Sequence, residues 1–350
     1  MSDLNGQVRR SDDAAPRKTI YDIAGLSGVS PATVSRYLNN SSAVSAPLRQ
    51  RIAQAITQLD FRPNPMARAL ANRRTGIVAL AVPSIDNPRW PEVARGLETR
   101  LTEAGYNLVL INLGDGRERE LRGLEQVSRI RAEALAVAML TYQEGDFARL
   151  QREGVQIAIL SNDIESDMLD AILPDRVAGV RLAVEHLALL GHRRIALVDR
   201  PDSLPGARAR IDAFTAAGQV MGLDGDALHC VPIQHGTIAE GQAAASRVIA
   251  QGVTAAIASS DLVAVGLWIG LEDANVRVPR DISLVGMDDI PAAALMRTGL
   301  TTLALDRVER GRLAAELLLV RLAGHGPASR RRLAIPPRLV VRSTTAPPPA

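Results

Sequence analysis

Three things are scarce in this sequence of 350 residues: cysteine, lysine and long apolar runs. Cys230 is the only cysteine, which excludes an intrachain disulfide and a cysteine metal cluster. The longest apolar stretches, such as Ile77–Val82, are far shorter than the ~20 residues of a membrane-spanning helix. Residues 1–17 are polar and contain no apolar run of the secretory type. These absences lead us to expect a cytoplasmic protein with no membrane partner.

Because Lys18 is the only lysine, arginine carries nearly all of the positive charge, and an isolated arginine is weak evidence for function. The distribution of charge is more informative. Residues 17–75 hold nine basic and two acidic side chains, a net charge of +7. The whole chain sums to +3, so the remainder sums to −4. A basic head on a mildly acidic body indicates a local site for a polyanion.

The basic head has the signals of two helices joined by a tight turn. Thr19 and Asp22 form a Thr-x-x-Asp pattern that resembles a capping box. Gly28 breaks the first helix, and Ser30 followed by Pro31 is a favourable start for the second. A third helix begins near Ser45 and has an apolar stripe made of Leu48, Ile52, Ala55, Ile56 and Leu59.

Three short helices in this order are typical of a helix-turn-helix unit, whose second helix enters the major groove of DNA. Arg36 is the residue on that helix able to make a bidentate contact with guanine O6 and N7. Pro31 and Ala32 offer apolar contacts, for example to a thymine methyl group. The head is therefore predicted to read bases in double-stranded DNA.

The run from Thr19 to Asn39 closely resembles the signature of the lactose-repressor (LacI) family of transcription regulators. The run from Phe61 to Leu70 resembles the hinge of that family, with Asn64 and Pro65 starting a short helix. The resemblance implies that Leu70 wedges into the minor groove and kinks the duplex. It gives as DNA-binding residues Thr19, Ser30, Pro31, Ala32, Thr33, Ser35, Arg36, Asn39, Asn64, Arg68 and Leu70.

After Gly76, short apolar runs alternate with amphipathic segments, which predicts parallel sheets with helices on both faces. The predicted strands are Ile77–Val82, Leu108–Leu113, Ala134–Leu140, Ile157–Leu160, Ile195–Val198, Ala255–Ala258 and Ile282–Gly286. The predicted helices are Pro91–Ala104, Arg176–Leu190, Ala207–Gly218, Ile238–Ala250, Leu262–Ala274 and Asp306–Ala323. Ligands of such sheets bind beyond the carboxyl ends of the strands.

This body resembles the core of the same family, which is similar to periplasmic sugar-binding proteins. The resembling pieces include residues 82–88, 190–195, 260–266 and 278–289. The resemblance implies two doubly wound parallel-sheet subdomains joined by three crossovers, an effector in the cleft, and a homodimer. It gives as effector-binding residues Trp90, Asn162, Arg210, Ser260 and Asp288, with the indole of Trp90 facing a sugar ring. Ser260 and the segments 161–162 and 174–175 depart from the usual sugar pattern, which leaves the ligand open.

We expect four segments along the chain. Residues 1–16 are predicted to form a disordered extension, 17–62 the helix-turn-helix domain, 63–75 the hinge and linker, and 76–345 the effector-binding core. Within the core, subdomain 1 takes about 76–174 plus 304–325, and subdomain 2 takes about 175–303 plus 326–345.

The function that these observations favour is a sequence-specific regulator, usually a repressor. A homodimer would bind a pseudo-palindromic operator, and a sugar or related metabolite would control its affinity. A regulator with a silent cleft, controlled by a partner protein, is the alternative. A solute-binding protein and an enzyme with a DNA-binding head fit less well. The chain has no phosphate-binding glycine loop and no nucleophile elbow, and its five histidines are scattered, so we expect no catalytic residue, metal or cofactor.

Overall fold

The computed structural model describes residues 18–39, 41–61, 74–114, 116–164, 166–201, 203–223, 225–295, 299–325 and 329–349. They form two compact units, which meet in sequence at the Thr75–Gly76 junction. The predicted disordered extension lies outside the described residues. So do the predicted hinge residues Asn64, Arg68 and Leu70.

The first unit contains three α-helices among its described residues. They are α1 (Ile20–Ser27), α2 (Pro31–Asn39) and α3 (Ala46–Gln58), with a 3₁₀ turn at Ser41–Ala43 before α3. Their apolar faces enclose a small core made of Ile23, Ala24, Val34, Val44, Ile52 and Ala55. The apolar spacing predicted these helices, and their existence is confirmed.

The ends of α1 and α2 are fixed by the residues that the sequence singled out. The backbone N–H of Thr19 donates to the Asp22 carboxylate at 2.7 Å, and this bond helps to hold the Asp22 pKa below its ordinary value. Gly28 has φ 62°, a left-handed conformation that glycine adopts without a steric cost. The Ser30 hydroxyl accepts the Thr33 backbone N–H at 3.2 Å, so Ser30 caps α2.

The described residues of the second unit form two six-stranded sheets. The strands of the first sheet are β1 (Ile77–Val82), β2 (Asn107–Asn112), β3 (Ala134–Val137), β4 (Gln156–Ile159), β5 (Asp170–Pro174) and β11 (Arg332–Ile335). Their order is β11-β5-β4-β3-β1-β2, and all pairs are parallel. In β1, Val78 and Leu80 pack on one face while Ala79 and Ala81 pack on the other. A sheet covered on both faces requires such continuously apolar strands.

The strands of the second sheet are β6 (Ile195–Asp199), β7 (Leu228–Pro232), β8 (Ala255–Ala258), β9 (Ser283–Asp288), β10 (Thr301–Leu305) and β12 (Pro337–Val340). Their order is β12-β10-β9-β8-β6-β7, and β12 is antiparallel to β10 while the other pairs are parallel. The predicted pair of doubly wound subdomains is confirmed, with an antiparallel edge strand added to the second sheet.

Helices cover both sheets. They are α4 (Arg89–Glu103), α5 (Arg117–Arg129), α6 (Ala148–Arg152), α7 (Arg176–Leu189), α8 (Pro205–Val220), α9 (Ile238–Ala250), α10 (Asp261–Asp273), α11 (Pro291–Leu295) and α12 (Arg307–Leu322), with a 3₁₀ turn at Gly225–Ala227. All six predicted helices are present with small shifts at their ends. Helices α5, α6 and α11 were not predicted.

Two predicted boundaries in the core are wrong. The strand predicted to reach Leu140 ends at Val137, because the backbone N–H groups of Leu140 and Thr141 turn away to bind the buried Glu120 carboxylate, at 2.6 and 3.0 Å. The chain was expected to enter subdomain 2 for the last time near residue 325. Strand β11 instead pairs with β5 in the first sheet, so this crossover comes between Ile335 and Pro337.

Helices α4 and α12 approach each other unusually closely, and glycine permits it. A Cβ atom added to Gly311 would collide with the carbonyl oxygen of Val93, and one added to Gly96 would collide with that of Val308. Both collisions are with backbone, which cannot move aside cheaply. This contact places Arg310 of α12 beside Trp90 in the first turn of α4.

Candidate functional site: an arginine-lined cleft and a basic helical head

A cavity of about 120 Å³ lies at the carboxyl ends of strands from both sheets. Its walls include Asn162 beyond β4, Arg200 directly after β6, and Ser260 beyond β8. This is where a doubly wound sheet binds its ligand. A cavity with this largely polar lining suits a small polar ligand.

Four of the five predicted effector residues line this cavity: Trp90, Asn162, Arg210 and Ser260. Ser260 also caps α10, since its hydroxyl accepts the Val263 backbone N–H at 3.3 Å. Asp288 is not among the described lining residues. It lies buried behind Arg176, with a relative exposure of 2%.

Arg210 is held rigidly by a bidentate ion pair. Its Nε and Nη2 atoms donate to the two carboxylate oxygens of Asp199 at 2.6 and 2.8 Å. Burial alone would lower the Arg210 pKa, but the charge and hydrogen bonds of Asp199 outweigh it and the pKa is raised. Arg210 is therefore a fixed cation at the cavity wall with little excess charge of its own.

Asp288 orients a second arginine at the wall. Its carboxylate accepts from Arg176 at 2.6 Å and lies 3.8 Å from Arg89 Nη1. Burial would raise the Asp288 pKa, but the positive charges of Arg176, Arg89 and Arg307 hold it below its ordinary value. Arg176 also donates to the Ser259 carbonyl oxygen at 3.2 Å. Asp288 thus positions Arg176, which itself faces the cavity.

The indole of Trp90 lies against cations rather than open space. The guanidinium carbons of Arg89 and Arg310 lie 4.8 and 5.4 Å from the Trp90 ring centroid. Trp90 as a whole is 3% exposed. The Trp90 ring that we expected to face a sugar therefore makes cation–π contacts with two guanidinium groups in this structure.

Arg310 is the most unusual group at the cleft. It is 3% exposed, and its Nε and Nη2 atoms have no hydrogen-bond partner among the residues that the structure describes. Burial, followed by repulsion from Arg89 and Arg176, lowers its pKa to about 9. Arg89 is less deeply buried, with a side chain 22% exposed, and loss of hydration lowers its pKa to about 10. Both side chains remain cationic at neutral pH.

The head presents the outer face of α2 to solvent. Ala32 and Arg36 are exposed, Pro31, Thr33 and Ser35 are half-buried, and Val34 between them is fully buried in the core. The hydroxyls of Ser30 and Thr33 hydrogen-bond to each other at 2.9 Å at the start of the helix. Thr19 is exposed at the start of α1. Asn39 is the last residue of α2, and its side chain lies outside the described part of the structure.

Each of the two units matches a known protein family. The family model for bacterial regulatory proteins of the lacI family matches residues 19–64, and the model for a periplasmic binding protein-like domain matches residues 184–345. The regulator MalR of Streptomyces coelicolor is 33% identical over 341 residues, covering 93% of this chain and 96% of MalR. The chain belongs to the LacI family.

Solved structures of LacI-family proteins have the same architecture. A lac repressor dimer bound to operator and the anti-inducer ONPF has a TM-score of 0.82 at 26% identity, covering 94% of this chain and 99% of the repressor chain. A LacI-family regulator from Enterococcus faecium with bound ribose has a TM-score of 0.71 at 28% identity, covering 77% and 99%. The relatives are transcription regulators, not enzymes.

Of the five arginines in the described lining of the cleft, only Arg210 was predicted from the sequence. Arg176 and Arg200 each follow the end of a strand, so the rule that ligands bind beyond strand ends could have found them. Arg310 gave no such signal, because it lies in the first turn of a helix rich in charged residues. Within the described residues, no cluster of potential metal ligands occurs, and no helix has the length and apolarity of a membrane span.

Proposed function

We propose that the protein is a DNA-binding transcription regulator, acting as a repressor, whose operator affinity is controlled by a small molecule in the cleft of its core. The observation that carries the proposal is the match of the LacI-family model to a three-helix unit with an exposed arginine on its second helix. The lac repressor, similar over nearly its whole length, is a dimer bound to operator in its solved structure.

In this proposal α2 enters the major groove and Arg36 reads a guanine through its two parallel N–H donors. The exposed side chain of Ala32 and the half-buried Pro31 contact base edges, while Thr19, Ser30, Thr33, Ser35 and Asn39 contact the backbone or bases nearby. The roles of Asn64, Arg68 and Leu70 in a minor-groove hinge are proposed from sequence alone. A homodimer would place two such heads on half-sites about one helical turn apart.

Selection of bound sequences from random double-stranded DNA tests the proposal, with the full-length chain as bait. We expect enrichment of a pseudo-palindrome with a fixed spacing between its halves. Enrichment of no sequence over the starting pool, at moderate salt and with or without candidate sugars, would contradict the proposal.

The Arg36→Ala variant tests how the sequence is read. We expect it to lose about 1–3 kcal/mol of preference for the selected sequence, the usual value of one bidentate base contact, while salt-sensitive binding to random DNA persists. Arg36→Lys keeps the charge but not the planar fork, so it should also lose preference. Competition binding with selected and scrambled duplexes measures both. An equal loss on both duplexes would show that Arg36 contacts only phosphate.

The cleft favours control by a small ligand over the silent-cleft alternative. Its wall is polar and positively charged, and it contains buried donors without partners. Such groups destabilise the folded core unless a ligand pairs with them, because an unpaired buried charge is costly. We propose that Asn162, Arg210 and Ser260 contact the ligand, that Trp90 forms part of the wall, and that Asp288 acts through Arg176.

A further inference from the structure

The charges at the cleft do not balance. Its described lining contains five arginines, Arg89, Arg176, Arg200, Arg210 and Arg310, and one carboxylate, Asp163. Asp199 and Asp288 lie just behind the wall. Three of the arginines have close carboxylate partners: Arg210 with Asp199 at 2.6 Å, Arg176 with Asp288 at 2.6 Å, and Arg200 with Asp163 at 3.1 Å.

The two remaining arginines are left without full compensation. Arg89 shares Asp288 with Arg176 at a distance of 3.8 Å, and its buried Nε atom has no hydrogen-bond partner in the described part of the chain. Arg310 makes no ion pair among the described residues, and its Nε and Nη2 atoms have no partner. Its contact with the Trp90 ring is weaker than a carboxylate pair and satisfies no N–H group. Among the described residues, the wall therefore carries two positive charges more than the carboxylates in and directly behind it.

We infer that the effector is anionic, a small polyhydroxy compound with a carboxylate or phosphate group, and that Arg310 and Arg89 bind this group. The inference rests on the proposed control by a ligand in the cleft and names the class of that ligand. Buried polar groups in native proteins are almost always hydrogen-bonded, so each exception needs an explanation, and a bound ion is one of them. A guanidinium with free parallel N–H donors matches the planar oxygens of a carboxylate or the oxygens of a phosphate.

The cavity lining also offers partners for the hydroxyl groups of such an effector. The Asn162 amide and the residues Ser259 and Ser260 line the wall beyond β4 and β8. A neutral sugar could bind these groups but would leave the charges of Arg310 and Arg89 without a counter-ion.

Thermal unfolding of the full-length chain tests the inference. The probes are inorganic phosphate, gluconate, glucose 6-phosphate and glucose, each compared with sodium chloride at equal ionic strength. We expect at least one anionic probe to raise the midpoint of the wild type in a concentration-dependent way, and glucose to have a smaller effect. A response to the two phosphates alone would identify a phosphate ligand, and a response to gluconate alone a carboxylate.

The Arg310→Met variant identifies the binding group. We expect it to bind the anionic probe roughly 10- to 100-fold more weakly, the range for loss of a charge-assisted hydrogen bond. Without ligand, its midpoint should equal or exceed that of the wild type, because it removes an uncompensated buried charge. A merely structural arginine would instead lower the midpoint. Arg310→Lys keeps the charge and should retain part of the response.

Arg312→Met on the same helix is the matched control. Arg312 pairs with Glu309 and Glu316 outside the cavity lining, so its loss should leave the response to the anion unchanged. The inference is overturned if no anionic probe stabilises the wild type, or if Arg310→Met responds like the wild type. Binding of selected DNA by the same preparations separates this failure from failure of the proposed regulator function.

Discussion

At the residue scale, Asp261 shows how burial sets the chemistry of this core. It is fully buried at the start of α10, where its two oxygens accept from the Thr302 hydroxyl at 2.5 Å and the Ile290 backbone N–H at 2.8 Å. Burial, and then the nearby charge of Asp288, raises the Asp261 pKa to about 7. Near neutral pH, the Asp261 carboxyl is protonated in a large fraction of the molecules.

This raised pKa predicts a pH-dependent stability. The folded state binds the Asp261 proton more tightly than the unfolded chain does. The stability that this proton contributes to the folded state is therefore complete below about pH 4 and is lost as pH rises towards about 7. We expect the neutral Asp261→Asn variant to lack this decline. The unfolding free energy of Asp261→Asn should therefore rise relative to that of the wild type between pH 5 and 7, by roughly 2–3 kcal/mol over two pH units.

Denaturant unfolding at several pH values between about 5 and 8 measures the difference between variant and wild type. The Asp281→Asn variant is the control. Asp281 is an exposed carboxyl whose pKa lies below its ordinary value because Arg277 donates to it, so it stays ionised throughout this range. A flat difference for Asp261→Asn would show that this carboxyl is ionised in the folded protein.

At the scale of helices and strands, the close contact of α4 with α12 connects packing with the cleft. Gly311 permits this contact, and the neighbouring Arg310 reaches the Trp90 ring because of it. We expect Gly311→Ala to destabilise the core by about 1–3 kcal/mol, the usual cost of overpacking. Thermal unfolding checks this loss.

Gly25→Ala is the comparison variant for Gly311→Ala, because a Cβ atom at Gly25 would meet nothing within 4 Å. Alanine also has the higher helix propensity, so this exchange should leave the core unchanged and slightly stabilise α1. A core that tolerates Gly311→Ala as well as Gly25→Ala would mean that the two helices can separate without cost.

The elements that the sequence predicted well are those with strong local signals. Helices α1 and α2 have a capping pattern and a glycine turn, and the central strands β1, β6 and β8 are continuously apolar. Five strands of the described residues were missed. Strands β7, β11 and β12 lie at sheet edges, where exposed positions interrupt the apolar pattern. Strands β5 and β10 are internal, but each begins with polar residues, Asp170 in β5 and Thr301 and Thr302 in β10. Strand pairing across the chain, such as β11 with β5, leaves no local trace.

The candidate site was predictable only in part for the same reason. Trp90, Asn162, Arg210 and Ser260 were identified by resemblance, and all four line the cavity. The excess positive charge was not predicted from the sequence, because it depends on which arginines lie close to a carboxylate in the folded chain. Asp199 pairs with Arg210 eleven residues later, whereas Arg176 reaches Asp288 across 112 residues. Because the carboxylates near the cleft pair with other arginines, Arg310 has no ion-pair partner among the described residues.

At the scale of the whole molecule, regulation requires that the ligand bind the DNA-competent and DNA-incompetent states with different affinities. The ligand can change operator affinity only by that difference. Linkage of this kind is typically worth ~1–3 kcal/mol, or roughly 5- to 150-fold in affinity. The same linkage requires operator DNA to change the affinity of the ligand by an equal factor.

The most direct test is the dissociation constant for the selected operator, measured by fluorescence anisotropy with and without a saturating anionic ligand of the cleft. We predict a change of roughly 5- to 150-fold for the wild type and a much smaller change for Arg310→Met at the same ligand concentration. Equal operator affinity with and without the bound ligand in the wild type would contradict control of DNA binding by the cleft.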